Sequence, residues 1–207
     1  MMMKLTIRPQ VKKKNRFSVF LEEEYLFSIS QYTYHKLGSP TQVEVESVEA
    51  FRMECLFPEH YNDCLELLGR RMYSTAELRR KLSLRHCPAE ISERILTKLL
   101  EEKYLSDEDY KESFIRSRQT YKKQGFEKIR RELLLRGISP DEEDYDRETE
   151  LSNLRDLAKN LLLKHIEPKK IYSRLAAKGY RFSDIRDVMR ELSSPEEEWE
   201  YEVTEDA

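Results

Sequence analysis

No apolar stretch in this sequence of 207 residues approaches the roughly 20 residues that a membrane-spanning helix needs. The amino terminus also lacks the charged-then-apolar order of a secretory signal. Cysteine is scarce, and Cys55, Cys64 and Cys87 form no CxxC pair and no spacing with histidine that suits tetrahedral zinc. We therefore expect a cytoplasmic protein with no membrane partner, whose thiols are small buried hydrophobes in a reducing compartment.

Motifs of catalysis are missing as well. The sequence contains no phosphate-binding glycine loop, no GxSxG elbow and no HExxH pair. Its four histidines are dispersed, and His86 and His165 fall near predicted helix ends, where the helix dipole favours a basic group. We predict a protein that is not an enzyme and that uses no metal or cofactor.

Glycine is rare too, and from residue 59 onward it stands only between predicted elements. Upstream, residues 17–21 and 25–29 alternate between apolar and polar side chains, which predicts a β-hairpin around Glu22–Glu24. Residues 31–38 have the pattern of a helix that stops at a glycine, and the valine-rich residues 43–48 fit either a strand or a helix. A small β-rich segment is therefore expected to precede the helices.

One short phrase occurs three times along the chain. It reads ELRRKLSLRH at Glu77–His86, KIRRELLLRG at Lys128–Gly137 and KIYSRLAAKG at Lys170–Gly179. Each copy has an apolar residue, a leucine four positions later, and a basic residue before the His or Gly where a helix would end. The phrase therefore indicates a repeated helical unit.

The fold predicted from these patterns is mainly α: an elongated tandem array of three three-helix repeats, preceded by a small amino-terminal segment that contains the β-hairpin. The third helix of the second repeat is expected to start at Ser139–Pro140. Because the apolar sets are small and evenly spread, each repeat should be compact, joined to the next by limited contacts, in a monomer. The predicted bounds are 1–57 for the β-rich segment, 58–106, 107–147 and 148–193 for the repeats, and 194–207 for a mobile acidic tail.

Basic residues are the best functional lead. Although the formal net charge is -3, the stretch from Lys111 to Arg136 holds nine basic residues against three acidic ones. A positive face of this kind suits a phosphate backbone or the acidic groove of a protein filament, but it also fits a solvated surface with no partner. The candidate contact residues across the three repeats are Arg79, Arg80, Arg116, Arg118, Lys122, Lys123, Lys128, Arg130, Arg131, Arg174 and Lys178.

Aromatic residues lie between these basic positions. Tyr110, Phe114, Tyr121 and Tyr172 could stack on bases, but their helical spacing favours packing in the core. We therefore expect the partner surface to be built from charge rather than from stacking rings.

The central sequence resembles a known family. The stretch YSTAELRRKLSLRHCPAEISERILTKLLEEKYLSDEDYKESFIRSRQTYKKQGFEKIRRELLLRGI, from Tyr73 to Ile138, is similar to the bacterial RecX family of regulatory proteins, most of all in the core KYLSDEDYKESFIRSR at Lys103–Arg118. The similarity extends more weakly over the third repeat and the hairpin. Two features depart from the family pattern: His86 replaces the glycine expected after the second helix of the first repeat, and the acidic tail is additional.

This resemblance implies three tandem three-helix modules without enzymatic activity. It also implies binding in the helical groove of the filament that the RecA recombinase forms on single-stranded DNA, which would hinder filament growth, ATP hydrolysis and strand exchange. Two alternatives remain open at this point: a transcription regulator of helix-turn-helix type, and a nucleic-acid enzyme. A regulator would need a recognition helix, usually presented by a symmetric dimer, and an enzyme would need convergent acids or a metal site.

Overall fold

The structure is a computed structural model that describes residues 2–192, so the predicted acidic tail lies outside the described residues. The chain divides into two compact units, Met1–Asp107 and Glu108–Ala207. The strands are β1 (Met3–Pro9), β2 (Arg16–Leu21), β3 (Glu24–Ser30) and β4 (Gln42–Val45). The helices are α1 (Gln31–Lys36), α2 (Val48–Leu68), α3 (Thr75–Leu84), α4 (Ala89–Glu101), α5 (Asp107–Thr120), α6 (Phe126–Leu134), α7 (Arg147–Leu163), α8 (Pro168–Ala177) and α9 (Phe182–Leu192).

An antiparallel sheet with the strand order β3-β2-β1-β4 opens the first unit. The predicted hairpin is confirmed, since Glu22 and Glu23 take positive φ values of 48° and 69° in the turn between β2 and β3. The ambiguous valine-rich stretch divides: Val45 ends β4, whereas Val48 begins α2. That helix continues through Pro58 and so crosses the position where the sequence places the start of the first repeat.

The helix ends follow the signals in the sequence. Ser74 accepts a hydrogen bond from the Glu77 backbone N–H, and the Glu77 carboxylate accepts one from the Ser74 N–H, which completes a capping box at the start of α3. The three copies of the repeated phrase end at His86, Gly137 and Gly179, with φ values of 58°, 76° and 94°. This is the left-handed conformation that closes a helix, and it explains why glycine is common there.

The sheet and the first three-helix repeat share one hydrophobic core. Leu5 and Ile29 of the sheet, Cys55 of α2, Leu82 of α3 and Leu99 of α4 are all at most 2% exposed and belong to the same cluster. The apolar face of the sheet has to be covered to exclude water, and residues of α2 to α4 belong to the cluster that covers it. The amino-terminal segment is thus an integral part of the first unit, with which it shares its core.

The second unit contains α5 and α6, a single turn of 3-10 helix at Glu142–Asp144, and then α7 to α9. The helix expected to start at Ser139–Pro140 is replaced by that turn, after which the chain brings Tyr145 into the core at 5.1 Å from the Phe126 ring. The sequence carries a trace of this, because 42 positions separate Ile129 from Ile171 but 51 separate Leu78 from Ile129. Among residues 2–192 no helix has both the length and the apolar composition to cross a bilayer.

Candidate partner-binding surface

Two glycines bring the second and third repeats into backbone contact. The Gly125 N–H donates to the Lys178 carbonyl at 3.0 Å, and the Glu127 N–H donates to the Gly179 carbonyl at 3.2 Å. A Cβ at Gly125 would lie 2.4 Å from the Gly179 carbonyl oxygen, and one at Gly179 would lie 2.4 Å from the Lys128 Cβ. Only residues without a side chain allow the amino end of α6 and the carboxyl end of α8 to approach this closely.

An ionic network with two buried carboxylates strengthens the same junction. The carboxylate of Glu150, a residue that is 1% exposed, accepts hydrogen bonds from the Phe126 N–H at 2.9 Å and from Arg147 at 2.7 Å. Arg147 also donates to both carboxylate oxygens of Asp184, at 2.8 and 2.5 Å. The hydrogen bond to Asp184 is the largest cause that raises the pKa of Arg147. Backbone hydrogen bonds and this ion network therefore join the two repeats at the glycines, while each repeat keeps a hydrophobic cluster of its own.

This junction gathers several of the predicted contact residues. The Lys178 ammonium donates to the Lys122 carbonyl at 3.1 Å, and the Lys128 ammonium lies 3.4 Å from the Ala177 carbonyl. Arg131 follows Lys128 by one helical turn on α6, and Arg174 precedes Lys178 by one turn on α8, so each pair shares a helix face. We call these five cations the basic junction: Lys122, Lys128, Arg131, Arg174 and Lys178.

Three cations of the basic junction are available to a partner. Lys122, Arg131 and Arg174 are exposed, and within residues 2–192 none of them has a carboxylate partner. The nearest bond of Arg131 is to a backbone carbonyl, that of Glu127, at 3.1 Å. An unpaired surface cation keeps its full charge for an incoming phosphate or carboxylate, because it has no internal ion pair to break.

Other predicted contact residues are held by carboxylates. Arg118 is 19% exposed, pairs with Glu132 at 3.0 Å and lies over the Phe114 ring. Lys123 bonds Asp156 at 2.9 Å, and Arg79 makes two hydrogen bonds to Glu93 at 2.8 and 2.9 Å. The pair with Glu93 raises the pKa of Arg79. These three residues are paired within the protein, which leaves less of their charge for a partner.

The remaining predicted residues are exposed. Arg116 lies on α5 and Arg80 on α3, both without a carboxylate partner in the described part of the chain. Arg130 lies on α6 with Glu127 at 4.0 Å. Arg79 and Arg80 belong to the first unit and the other nine residues to the second.

One aromatic residue departs from the core packing that its spacing predicted. Tyr110 is 7% exposed and stacks on Phe114 at 6.0 Å, as expected, but Tyr121 is 84% exposed. Tyr121 lies just after the end of α5 at Thr120, and its N–H donates to the Ser117 carbonyl at 3.2 Å. Its exposed ring precedes Lys122 of the basic junction in the sequence and could stack on a base.

The structure adds a groove between α7 and α8 that the sequence analysis missed. It has a volume of about 690 Å³, and Lys164 lines it together with Arg174 and Lys178. The signal was present, because Leu157, Leu161 and Lys164 follow one another at helical spacing on α7. In addition to its basic residues, the third repeat therefore has a concave surface of its own.

Within residues 2–192 no three His, Cys, Asp or Glu side chains come together in a way that could hold a metal ion. Burial raises the pKa of Cys64 to about 11 and the pKa of Cys55 and Cys87 to about 12, so the thiols stay protonated at neutral pH. All three cysteines are buried and free, as predicted.

Comparison with known protein families gives matches in both units. Residues 61–99 match the family model described as RecX, first three-helix domain, and residues 106–142 match the one described as RecX, second three-helix domain. The second match ends at the 3-10 turn that replaces a third helix. Two three-helix domains of one family thus match consecutive parts of this chain.

Curated relatives extend this similarity over nearly the whole chain. Regulatory protein RecX of Clostridium botulinum (strain Alaska E43 / Type E3) is 30% identical over 92% of this chain and 96% of the relative. Regulatory protein RecX of Listeria monocytogenes serotype 4a (strain HCC23) is 28% identical over 93% of this chain and 77% of the relative.

Solved structures show the same fold at lower identity. A crystal structure of regulatory protein RecX has a TM-score of 0.59 and 23% identity, and it covers 90% of this chain and 100% of that chain. RecX from Lactobacillus salivarius gives the same TM-score and identity over 66% of this chain and 96% of that chain.

Proposed function

The chain belongs to the RecX family of regulatory proteins, and we propose that it binds the filament of RecA on single-stranded DNA, in its helical groove, and lowers RecA ATPase activity, filament growth and strand exchange. In this role it acts in recombination and DNA repair as a cytoplasmic monomer without catalytic chemistry of its own. Its partners are the RecA filament and, directly or through it, single-stranded DNA.

The basic junction is the observation that carries this proposal. Its exposed cations Lys122, Arg131 and Arg174 lack carboxylate partners in the described chain, and the exposed Tyr121 precedes Lys122 in the sequence. Because backbone hydrogen bonds join the amino end of α6 to the carboxyl end of α8, the backbone that carries these charges is held in place before a partner binds. Such a surface suits the regular negative charges of a DNA backbone or the acidic groove of a filament.

The test is a titration of the chain into cognate RecA on single-stranded DNA. DNA-dependent ATP hydrolysis should fall at near-stoichiometric or lower amounts of the chain, and electron microscopy should show shorter filaments. If both ATPase rate and filament length stay unchanged, the proposal is wrong. A gel shift on defined against random duplex DNA without RecA addresses the transcription regulator, which requires a strong preference for one duplex sequence.

A further inference from the structure

The groove between α7 and α8 combines two chemistries. Its floor is apolar and its rim is basic, and none of the residues that line it is acidic. The α7 side of the groove begins at Leu157, the half-buried Leu161 lies one turn further on, and Arg174 and Lys164 are exposed at the rim. The floor is formed by Leu157, Leu161, Leu175 and Ala177, and the rim by Lys164, Arg174 and Lys178. Such a groove fits a segment that is apolar on one side and negatively charged on the other.

This chain contains a segment of that chemistry. The acidic tail, residues 194–207, holds seven carboxylates and no basic residue. Trp199, Tyr201 and Val203 alternate there with Glu200 and Glu202, so an extended stretch would have one apolar edge and one acidic edge. Its charge and its apolar spacing both complement the groove.

The start of the tail is also close to the groove. The carboxylate of Glu191, at the end of α9, pairs with Arg155 of α7 at 3.0 Å. Leu157 lies two residues beyond Arg155, and Lys164 is about 14 Å from Arg155 along the helix axis at ~1.5 Å per residue. Trp199 lies seven residues after Leu192 and can be up to about 25 Å away from it in an extended chain. The tail is therefore long enough to place Trp199 on the groove floor.

We propose that the acidic tail of this chain docks in the groove between α7 and α8, with Trp199 on the apolar floor and its carboxylates against Lys164, Arg174 and Lys178. Docked there, it covers two cations of the basic junction. The tail then competes with the filament for this surface, a consequence that rests on the proposed function. The docked tail keeps Arg174 and Lys178 covered until a partner with more negative charge displaces it.

Trp199 is the single tryptophan of the chain, so its fluorescence reports the docking directly. At low salt, the acrylamide quenching constant of the whole chain should be at least about twofold lower than that of a peptide of residues 194–207. Reversal of the rim charges in K164E/R174E should bring the constant to the peptide value. K12E/K13E is the matched control: it changes two exposed lysines that do not line the groove, and it should leave Trp199 protected.

A second variant acts on the tail and leaves the described fold unchanged. E198K/E200K should also expose Trp199, and the combination of E198K/E200K with K164E/R174E should restore protection, because the charges are then exchanged. Equal quenching of chain and peptide would overturn the proposal. So would protection that survives K164E/R174E, which would place the tail elsewhere, or protection that grows with protein concentration, which would make a second copy the occupant.

The competition is measured separately. A chain that ends at Ser193 should bind the RecA filament several-fold more tightly than the whole chain. Equal affinity, with Trp199 still protected, would overturn the competition while the docking stands. If neither chain binds the filament, the proposed function fails, whereas the quenching result still decides whether the tail docks.

Discussion

Replacement of Gly179 by alanine tests how the second and third repeats are joined. The added Cβ would lie 2.4 Å from the Lys128 Cβ and 2.5 Å from the Lys128 backbone nitrogen, at a residue with φ of +94°. The left-handed backbone costs about 1–2 kcal/mol for alanine. Overpacking adds about 1–3 kcal/mol. Strain on the hydrogen bond that the Gly179 carbonyl accepts from Glu127 adds about 1 kcal/mol. We expect a loss of about 4 kcal/mol in the free energy of unfolding of the second unit.

Gly38 provides the matched control. It also has a positive φ, +84°, but nothing lies within 4 Å of an added Cβ, so G38A should cost only the backbone term of about 1–2 kcal/mol. Hydrogen exchange in increasing denaturant, followed on amides of α6 and α8 for G179A and of β1 and β2 for G38A, gives the two values. If G179A costs no more than G38A, the close approach does not hold the two repeats together.

Two further predictions follow from the titrating groups. The hydrogen bond from Lys111 lowers the pKa of Asp144, so this pair stabilises the fold above the unfolded pKa of about 4, and the contribution is lost as pH falls through the lowered folded value. In urea unfolding, K111M should therefore be less stable than the original chain at neutral pH, and the difference should shrink in acid. A difference that does not depend on pH would contradict the assignment. Burial raises the pKa of the three thiols of Cys55, Cys64 and Cys87. At neutral pH they should therefore react with a thiol reagent only as fast as local or global unfolding exposes them. Fast labelling of the native chain would be inconsistent with their burial.

Local signals predicted most of the helices and their ends. Ser74 with Glu77, Pro168 and the glycine stops act within a few residues, so a sequence shows them directly. The absence of a third α-helix in the second repeat was harder to predict. It goes with the packing of Tyr145 against Phe126, a contact between residues that are distant in the sequence. Its only trace in the sequence was the shorter interval between repeats.

The candidate surface was predictable in charge but not in detail. Counting cations between Lys111 and Arg136 cannot separate Arg118, held by Glu132, from Lys122, which has no carboxylate partner in the described chain. That difference depends on which helices lie side by side. Likewise, the approach of Gly125 to Gly179 requires both repeats to be in place, and neither glycine reveals it alone. The groove exists only because α8 packs on α7, so the sequence alone could not show that Lys164 and Arg174 line the same surface.

The central claim is that the basic junction contacts the RecA filament, and the most direct test is the affinity of K122E/R131E for RecA on single-stranded DNA. Both residues are exposed and neither lines the groove of α7 and α8. The control R186E/R190E makes the same change in net charge on exposed residues of α9 in the same unit. We predict that K122E/R131E loses about tenfold in affinity, roughly 1.4 kcal/mol, with a shallower dependence on salt, while the control binds like the original chain. Equal affinities of the two variants would contradict the account.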